Sequence, residues 1–362
     1  MKKRQSNIEL LRIISMILIL AHHFSVHGGF NILKTSFTIN RLWIQFLQFG
    51  GKIGVNIFVI ISGYFLITSK GIKISKVLKL WLQLFFYSVS IYTLFVLTGV
   101  EVVSIKGIIK NVLPVIFTRW WFASTYFVLY LLSPYINKLL NSFSKREYHR
   151  FLALLTLFWC IIPTFTTNSF QSNPLIWFIY LYSLAGYMRL YGLLNTVKTG
   201  TCLLTSFVVS LLTYLSAVVF DLLGLKISAF SEHATYFFEM QKLPILIISV
   251  LLFLGFSKLN IGSIKLINIV SSATFGVYLI HDNAYVKEFL WQTLFKNASY
   301  AYSDMLIPYS ILVIIIVYLT CTVIELIRIY LIEKKYMSWV NNVSAKIEEK
   351  INDLIKVACN RL

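Results

Sequence analysis

Long apolar runs, separated by short basic stretches, make up most of the chain. About ten of them approach the roughly 20 residues a helix needs to cross about 30 Å of hydrocarbon. They lie at approximately 8–26, 43–67, 77–98, 120–140, 149–165, 174–192, 200–222, 241–256, 266–285 and 306–332, the fifth and eighth being the shortest. Runs of this length without strand alternation predict an all-α, polytopic membrane protein. No internal repeat is visible. The longest polar excursion, 223–240, is too short for a separate soluble domain.

Basic residues orient the runs, because cytoplasmic loops carry the excess of Lys and Arg. Lys2, Lys3 and Arg4, then Lys70, Lys73, Lys76 and Lys79, then Lys145, Arg146 and Arg150, and finally the tail are the basic clusters. An even number of spans with both termini cytoplasmic puts all of them on one side. The expected organisation is a membrane domain over 1–332 and a basic tail over 333–362. In that tail Val340, Val343, Ile347, Ile351, Leu354 and Ile355 recur at helical spacing. This predicts an amphipathic helix on the inner leaflet, with a partner-binding helix as the alternative.

Composition narrows the class. Of 362 residues 58% are hydrophobic and only 13% charged, unlike a soluble domain of this length. The net charge of +19 raises nucleic-acid binding, but its location in short loops between apolar runs points to topology, and no nucleic-acid partner is expected. Cys160, Cys202, Cys321 and Cys359 show no metal-ligand or disulfide spacing and read as inert thiols. The N-terminus lacks a small-residue cleavage site and "ELLR" interrupts its apolar run, so it is expected to be a retained helix rather than a signal peptide.

The first run, "IELLRIISMILILAHH" over 8–23, carries the clearest chemistry: Glu9, Arg12, His22 and His23. Ionisable groups inside a membrane segment are costly and mark functional sites. Arg12 and His23 are separated by close to three helical turns, so they share a face about 16 Å apart along the axis. Glu9, three residues before Arg12, shares that face. His22 is rotated by about 100° and is expected to point elsewhere. A cation near the inner surface can hold a phosphate-bearing donor, and a histidine deeper along the same face can reach the reactive end of an extended arm such as pantetheine. Imidazole is the usual general base at neutral pH. The alternative is that Arg12 snorkels to the interface and His23 bonds within the bundle.

With Glu9, Arg12 and His23 in this order, the first helix resembles that of the acyltransferase 3 family, integral-membrane O-acyltransferases of bacterial surface polysaccharides. "GVNIFVIISGYFL" (54–66), "RWWFASTYFVLYLLSP" (119–134) and "SSATFGVYLIH" (271–281) are similar to further family segments in the same order. The resemblance implies a multi-pass protein of the bacterial plasma membrane that moves an acetyl group from cytoplasmic acetyl-CoA to a hydroxyl of a capsular, exopolysaccharide or other envelope glycan. It implies His23 as the catalytic base with Glu9 supporting Arg12, and Arg12 as a coenzyme A contact. The family's basic pair after the Ser-Gly segment is usually arginine. Here Lys76 and Lys79 are the best matches, and lysine meets phosphate as a point charge rather than a fork. No fused extracellular esterase-like domain is expected.

Other residues carry two readings each. Ser62 and Gly63 either pack helices closely or line the donor tunnel. Lys52, Gln48 and Asn56 interrupt the second run, and Lys52 can snorkel. Arg119, Trp120 and Trp121 open the fourth run, where interfacial anchoring accounts for at least one tryptophan; Arg119 and Trp121 are candidate acceptor contacts. Tyr278 and His281 lie at about the depth of His23 and could join the same cavity. Asp221, Glu232, His233 and Glu239 lack diagnostic ligand spacing, so no metal is expected. Rival classes are an exporter or flippase of a lipid-linked glycan, which needs a wide polar cavity, and a glycan polymerase, which needs carboxylates or arginines on large outer loops.

Overall fold

A computed structural model describes residues 5–32, 37–69 and 71–359, with the backbone alone over 351–359. Lys2, Lys3, Arg4, Lys70 and Arg361 lie outside the described residues, as do the side chains of Ile351, Leu354, Ile355 and Cys359. The described chain is helical and contains no strand. Its main helices are α1 (Ser6–His27), α2 (Ile39–Leu66), α3 (Ile74–Leu97), α4 (Trp121–Ser142), α5 (Lys145–Thr156), α6 (Pro174–Tyr191), α7 (Thr199–Gly224), α8 (Leu243–Ser257), α9 (Lys265–Ser272), α10 (Thr274–His281), α11 (Leu306–Arg328) and α12 (Lys334–Cys359). α5 continues through a π turn to Phe165, and α11 runs through another at Ile329–Glu333 into α12.

Among the described residues, seven helices are long and apolar enough to cross a membrane: Ser6–His27, Ile39–Leu66, Ile74–Leu97, Lys145–Phe165, Thr199–Gly224, Ser228–Ser257 and Leu306–Lys350. The other three expected runs are helical too, but one is not a single helix. The run expected over 266–285 breaks at Ala273 into α9 and α10. The break falls in Ser271-Ser272-Ala273-Thr274, where hydroxyls take backbone carbonyls: Ser272 Oγ donates to Ile269 O (2.6 Å) and Thr274 Oγ1 to Ser271 O (2.9 Å). Such local bonds compete with helix continuation.

The outward faces are apolar. Leu204, Phe207 and Leu212 on α7 and Leu312, Leu319 and Val323 on α11 are more than half exposed. A stripe of this kind fits lipid, in which the backbone must satisfy its own hydrogen bonds within helices. This is a polytopic, all-α membrane fold.

α1 is the central helix and packs against α2, α8, α9, α10 and α11. Its start ties two helix ends together. Asn7 Nδ2 donates to Phe256 O (2.9 Å) and Leu259 O (2.9 Å) at the end of α8, where carbonyls lack helical partners. Ser6 Oγ accepts from Ile264 N (2.7 Å) ahead of α9. Close approach to α2 depends on Gly50, Gly51 and Gly54: a Cβ there would collide with Leu18, His22 and the Ser15 carbonyl, respectively. Small residues allow such backbone proximity between membrane helices. Two interrupting polar residues prove structural. Asn56 accepts from Trp177 Nε1 (2.9 Å) and donates to Met240 O (2.9 Å). Asp221 forms a buried fork with Arg41, at 3.0 and 2.7 Å, joining α7 to α2.

Candidate active site

Two cavities lie in sequence along the Glu9–Arg12–His23 face of α1. The first is a vestibule of about 490 Å³ lined by Glu9, Arg12, Ser62, Lys79, Gln83 and Tyr126, with Arg328 and Glu333 from the α11–α12 junction. An adjoining 310 Å³ cleft shares Arg12, Ser62 and Lys79 and adds Lys76. The second is a chamber of about 40 Å³ lined by Met16, Ile19, His22, His23, Gly51, Lys52, Val55, Trp121 and Tyr278. Phe58, Phe122 and Phe275 line both the vestibule and the chamber. These three rings form an apolar collar between a cationic space and a histidine space.

Arg12 meets Glu9 across one helical turn, Nη1 to Oε2 at 3.4 Å. Glu9 is buried and also accepts from Ser271 Oγ. That hydroxyl comes from the broken segment, so the break places a donor beside the buried carboxylate. Ser62 Oγ donates to Phe58 O (2.9 Å) and lies 3.2 Å from Tyr126 OH, so it both packs α2 and lines the vestibule. Lys79 is ion-paired with Glu333. Lys76 is exposed at the rim of the cleft.

In the chamber, His23 Nδ1 lies 2.9 Å from His281 Nε2, and His281 Nδ1 lies 2.6 Å from Val277 O. Both nitrogens of His281 are therefore occupied, and the side chain is fully buried. His281 does join the site of His23, but behind it rather than as a lining residue. Tyr278 and Trp121 do line the chamber, whereas Arg119 does not. Its guanidinium lies 4.8 Å from the Tyr285 ring centroid, and its Nε and Nη2 are buried.

His22 departs from the expectation that it points away. Its Nδ1 donates to Gln48 O (2.7 Å), and its ring lies on Gly51 and lines the chamber beside His23. A rotation of 100° leaves one face of α1, but the chamber extends into the α1–α2 groove that Gly51 opens. Lys52, one position further on α2, does not snorkel away. It lines the chamber with Nζ 5.5 Å from the Trp121 ring centroid. His23, His27 and Asp282 bring potential ligand atoms within 4.8 Å of one another. A cation bound there through His23 Nδ1 would displace that atom's bond to His281.

The largest feature missed in the sequence is the buried network at the vestibule floor. Arg328 Nε and Nη2 grip Glu325 at 2.7 and 2.8 Å, and Nη2 also reaches Glu333 at 2.7 Å. Glu325 accepts further from Gln83 Nε2 (2.8 Å) and Tyr87 OH. Gly276 on α10 leaves the space Glu325 occupies. A signal was present: Glu325 and Arg328 repeat, inside the tenth apolar run, the acid-then-arginine spacing of Glu9 and Arg12.

These features define a class: a multi-pass helical membrane protein whose core aligns a cationic vestibule with a small chamber lined by histidines. Compared with known families, residues 5–326 match the acyltransferase domain of the acyltransferase 3 family. The chain belongs to that family and is a membrane acyltransferase. Searches of curated proteins and of solved structures return no match.

Proposed function

We propose that the protein is an O-acetyltransferase of the bacterial plasma membrane, carrying acetyl from cytoplasmic acetyl-CoA to a hydroxyl of an extracytoplasmic glycan. The observation that carries this reading is the meeting of vestibule and chamber at Phe58, Phe122 and Phe275. Donor phosphates would lie by Arg12, Lys76 and Lys79, whose charge favours them. The pantetheine arm would pass Ser62 and the phenylalanine collar. Arg12 and His23 are about 16 Å apart along α1, a span that suits an extended arm with its thioester at the histidine. The acceptor would enter from the His23 end, where Trp121 and Tyr278 line the chamber.

In this reading His23 removes the hydroxyl proton as the oxygen attacks the thioester carbon. The tetrahedral intermediate collapses, the carbon–sulfur bond breaks, and the proton passes from the imidazolium to the leaving thiolate. The Lys52 ammonium is suited to stabilise the oxyanion. An acyl-imidazole on His23 is the covalent alternative. Glu9 offsets the cost of placing the Arg12 charge in the bundle. The collar and small chamber favour this over an exporter or flippase, which needs a wide polar passage. A glycan polymerase remains the other alternative.

The test is reconstitution in sealed vesicles of known orientation with labelled acetyl-CoA. Label should reach glycan only with donor at the cytoplasmic face and glycan at the opposite face. His23→Ala should abolish transfer while retaining membrane insertion. Glycan export or polymerisation without labelled ester would overturn the acyl-transfer reading. Equal product with both substrates on the cytoplasmic side would overturn the crossing.

A further inference from the structure

We infer that His281 is a positioning residue that fixes the tautomer of His23, leaving the His23 Nε2 lone pair free for chemistry. The inference rests on the assignment of His23 as base and deepens it. A carbonyl oxygen can only accept, so His281 Nδ1, 2.6 Å from Val277 O, must carry the proton. A neutral imidazole has one N–H and one lone pair, so His281 Nε2 is an acceptor. His23 Nδ1, 2.9 Å away, must then be the donor. The remaining nitrogen of His23, Nε2, holds the lone pair.

The fold enforces each step. Val277 and His281 are separated by one turn of α10, so the carbonyl that holds the His281 proton belongs to His281's own helix. His281 is fully buried and His23 nearly so, which limits water as a substitute partner. Both rings are buried, and a charge buried without a hydrogen-bonded counter-charge is costly, which favours the neutral pair. The ionisable groups around the pair are His22 and His27 on α1, Lys52 on α2, and Tyr278 and Asp282 on the α10 side, with Lys287 and Glu288 further along. Asp282 Oδ1 lies 3.7 Å from His23 Nδ1, beyond hydrogen-bond distance, and is also 3.8 Å from His27 Nε2. Asp282 is therefore placed to stabilise the imidazolium formed during turnover, but it does not replace His281 as the acceptor for Nδ1. α10 orients the His23 imidazole through the general device of a bonded second ring nitrogen, with the Asp282 carboxylate outside hydrogen-bond distance.

The experiment combines tautomer and turnover. Nitrogen-15 histidine spectra of the detergent-purified full chain, with His23 signals assigned by their loss in His23→Ala, should show a protonated Nδ1 and a bare Nε2. His281→Ala should shift His23 toward the Nε2–H form and lower kcat by about 10²- to 10⁴-fold, the range over which general-base catalysis contributes. KM for acetyl-CoA should stay within about twofold, because the donor contacts are remote and loss of a general base spares ground-state binding. His281→Gln, whose amide oxygen can accept from Nδ1, should restore both the tautomer and part of kcat. A wild-type His23 bearing its proton on Nε2, or unchanged kcat in His281→Ala, would overturn the inference. Absence of acyl transfer by the wild type would overturn the functional reading alone, since the spectra decide the tautomer without turnover.

Discussion

Replacing Arg12 with alanine should weaken coenzyme A binding by about tenfold. An arginine carries five N–H donors. Among the described residues, Arg12 has Glu9 as its acceptor, through Nη1 alone and at 3.4 Å. That is long for a charge-assisted bond, and Glu9 already accepts from Ser271. Nε and Nη2 are thus free to meet a phosphate in the vestibule. Hydrogen bonds to charged groups contribute about 1.5–3 kcal/mol, or roughly 10- to 100-fold in Kd at about 1.4 kcal/mol per decade. The Arg12 side chain is 32% exposed, so screening favours the lower end. Lys79 should matter less than Arg12, because Glu333 already pairs with it. Calorimetry of coenzyme A binding to the purified variants at two salt concentrations checks both the size and the order. Arg12→Lys should recover only part of the loss, since it lacks the fork. Wild-type affinity in Arg12→Ala would refute the donor assignment and return Arg12 to a snorkelling role.

Three other perturbations probe the packing around the site. Glu325→Ala leaves the buried Arg328 with Glu333 as its remaining carboxylate partner, so the loss should fall below the about 3–5 kcal/mol of an uncompensated buried charge; thermal unfolding in detergent indistinguishable from wild type would contradict this. Gly51→Ala places a methyl against the His22 ring, an overpacking of about 1–3 kcal/mol. It should lower kcat with coenzyme A affinity kept, and equal losses in both would argue against a local effect. The chamber is small, about 40 Å³, and Phe58 forms part of its wall. Phe58→Ala should therefore admit propionyl- or butyryl-CoA, and an unchanged acyl preference in competition assays would show that the collar does not set chain length.

The apolar runs, the membrane class and the shared face of Glu9, Arg12 and His23 were legible in the sequence because each follows from spacing within one segment. Helical periodicity is local, and the cost of ionisable groups in lipid holds wherever the helix packs. The four family-like segments were legible for the same reason. The break at Ala273 was not, because the apolar run continues through it and the competing hydroxyl bonds become decisive only once Ser271 turns to Glu9.

Tertiary structure decided how separate helices meet. Nothing near residue 23 specifies that its imidazole will meet one 258 positions later. That pairing depends on the depth and rotation of α10 against α1. Nor does the sequence show that Gly51 opens the groove where His22 and Lys52 enter the chamber, or that three phenylalanines from α2, α4 and α10 form one collar. Spacing along a helix fixes which residues share its face. Only the packing of faces against one another, set by small residues at contacts and by the pairing of buried charges, fixes what each face encloses.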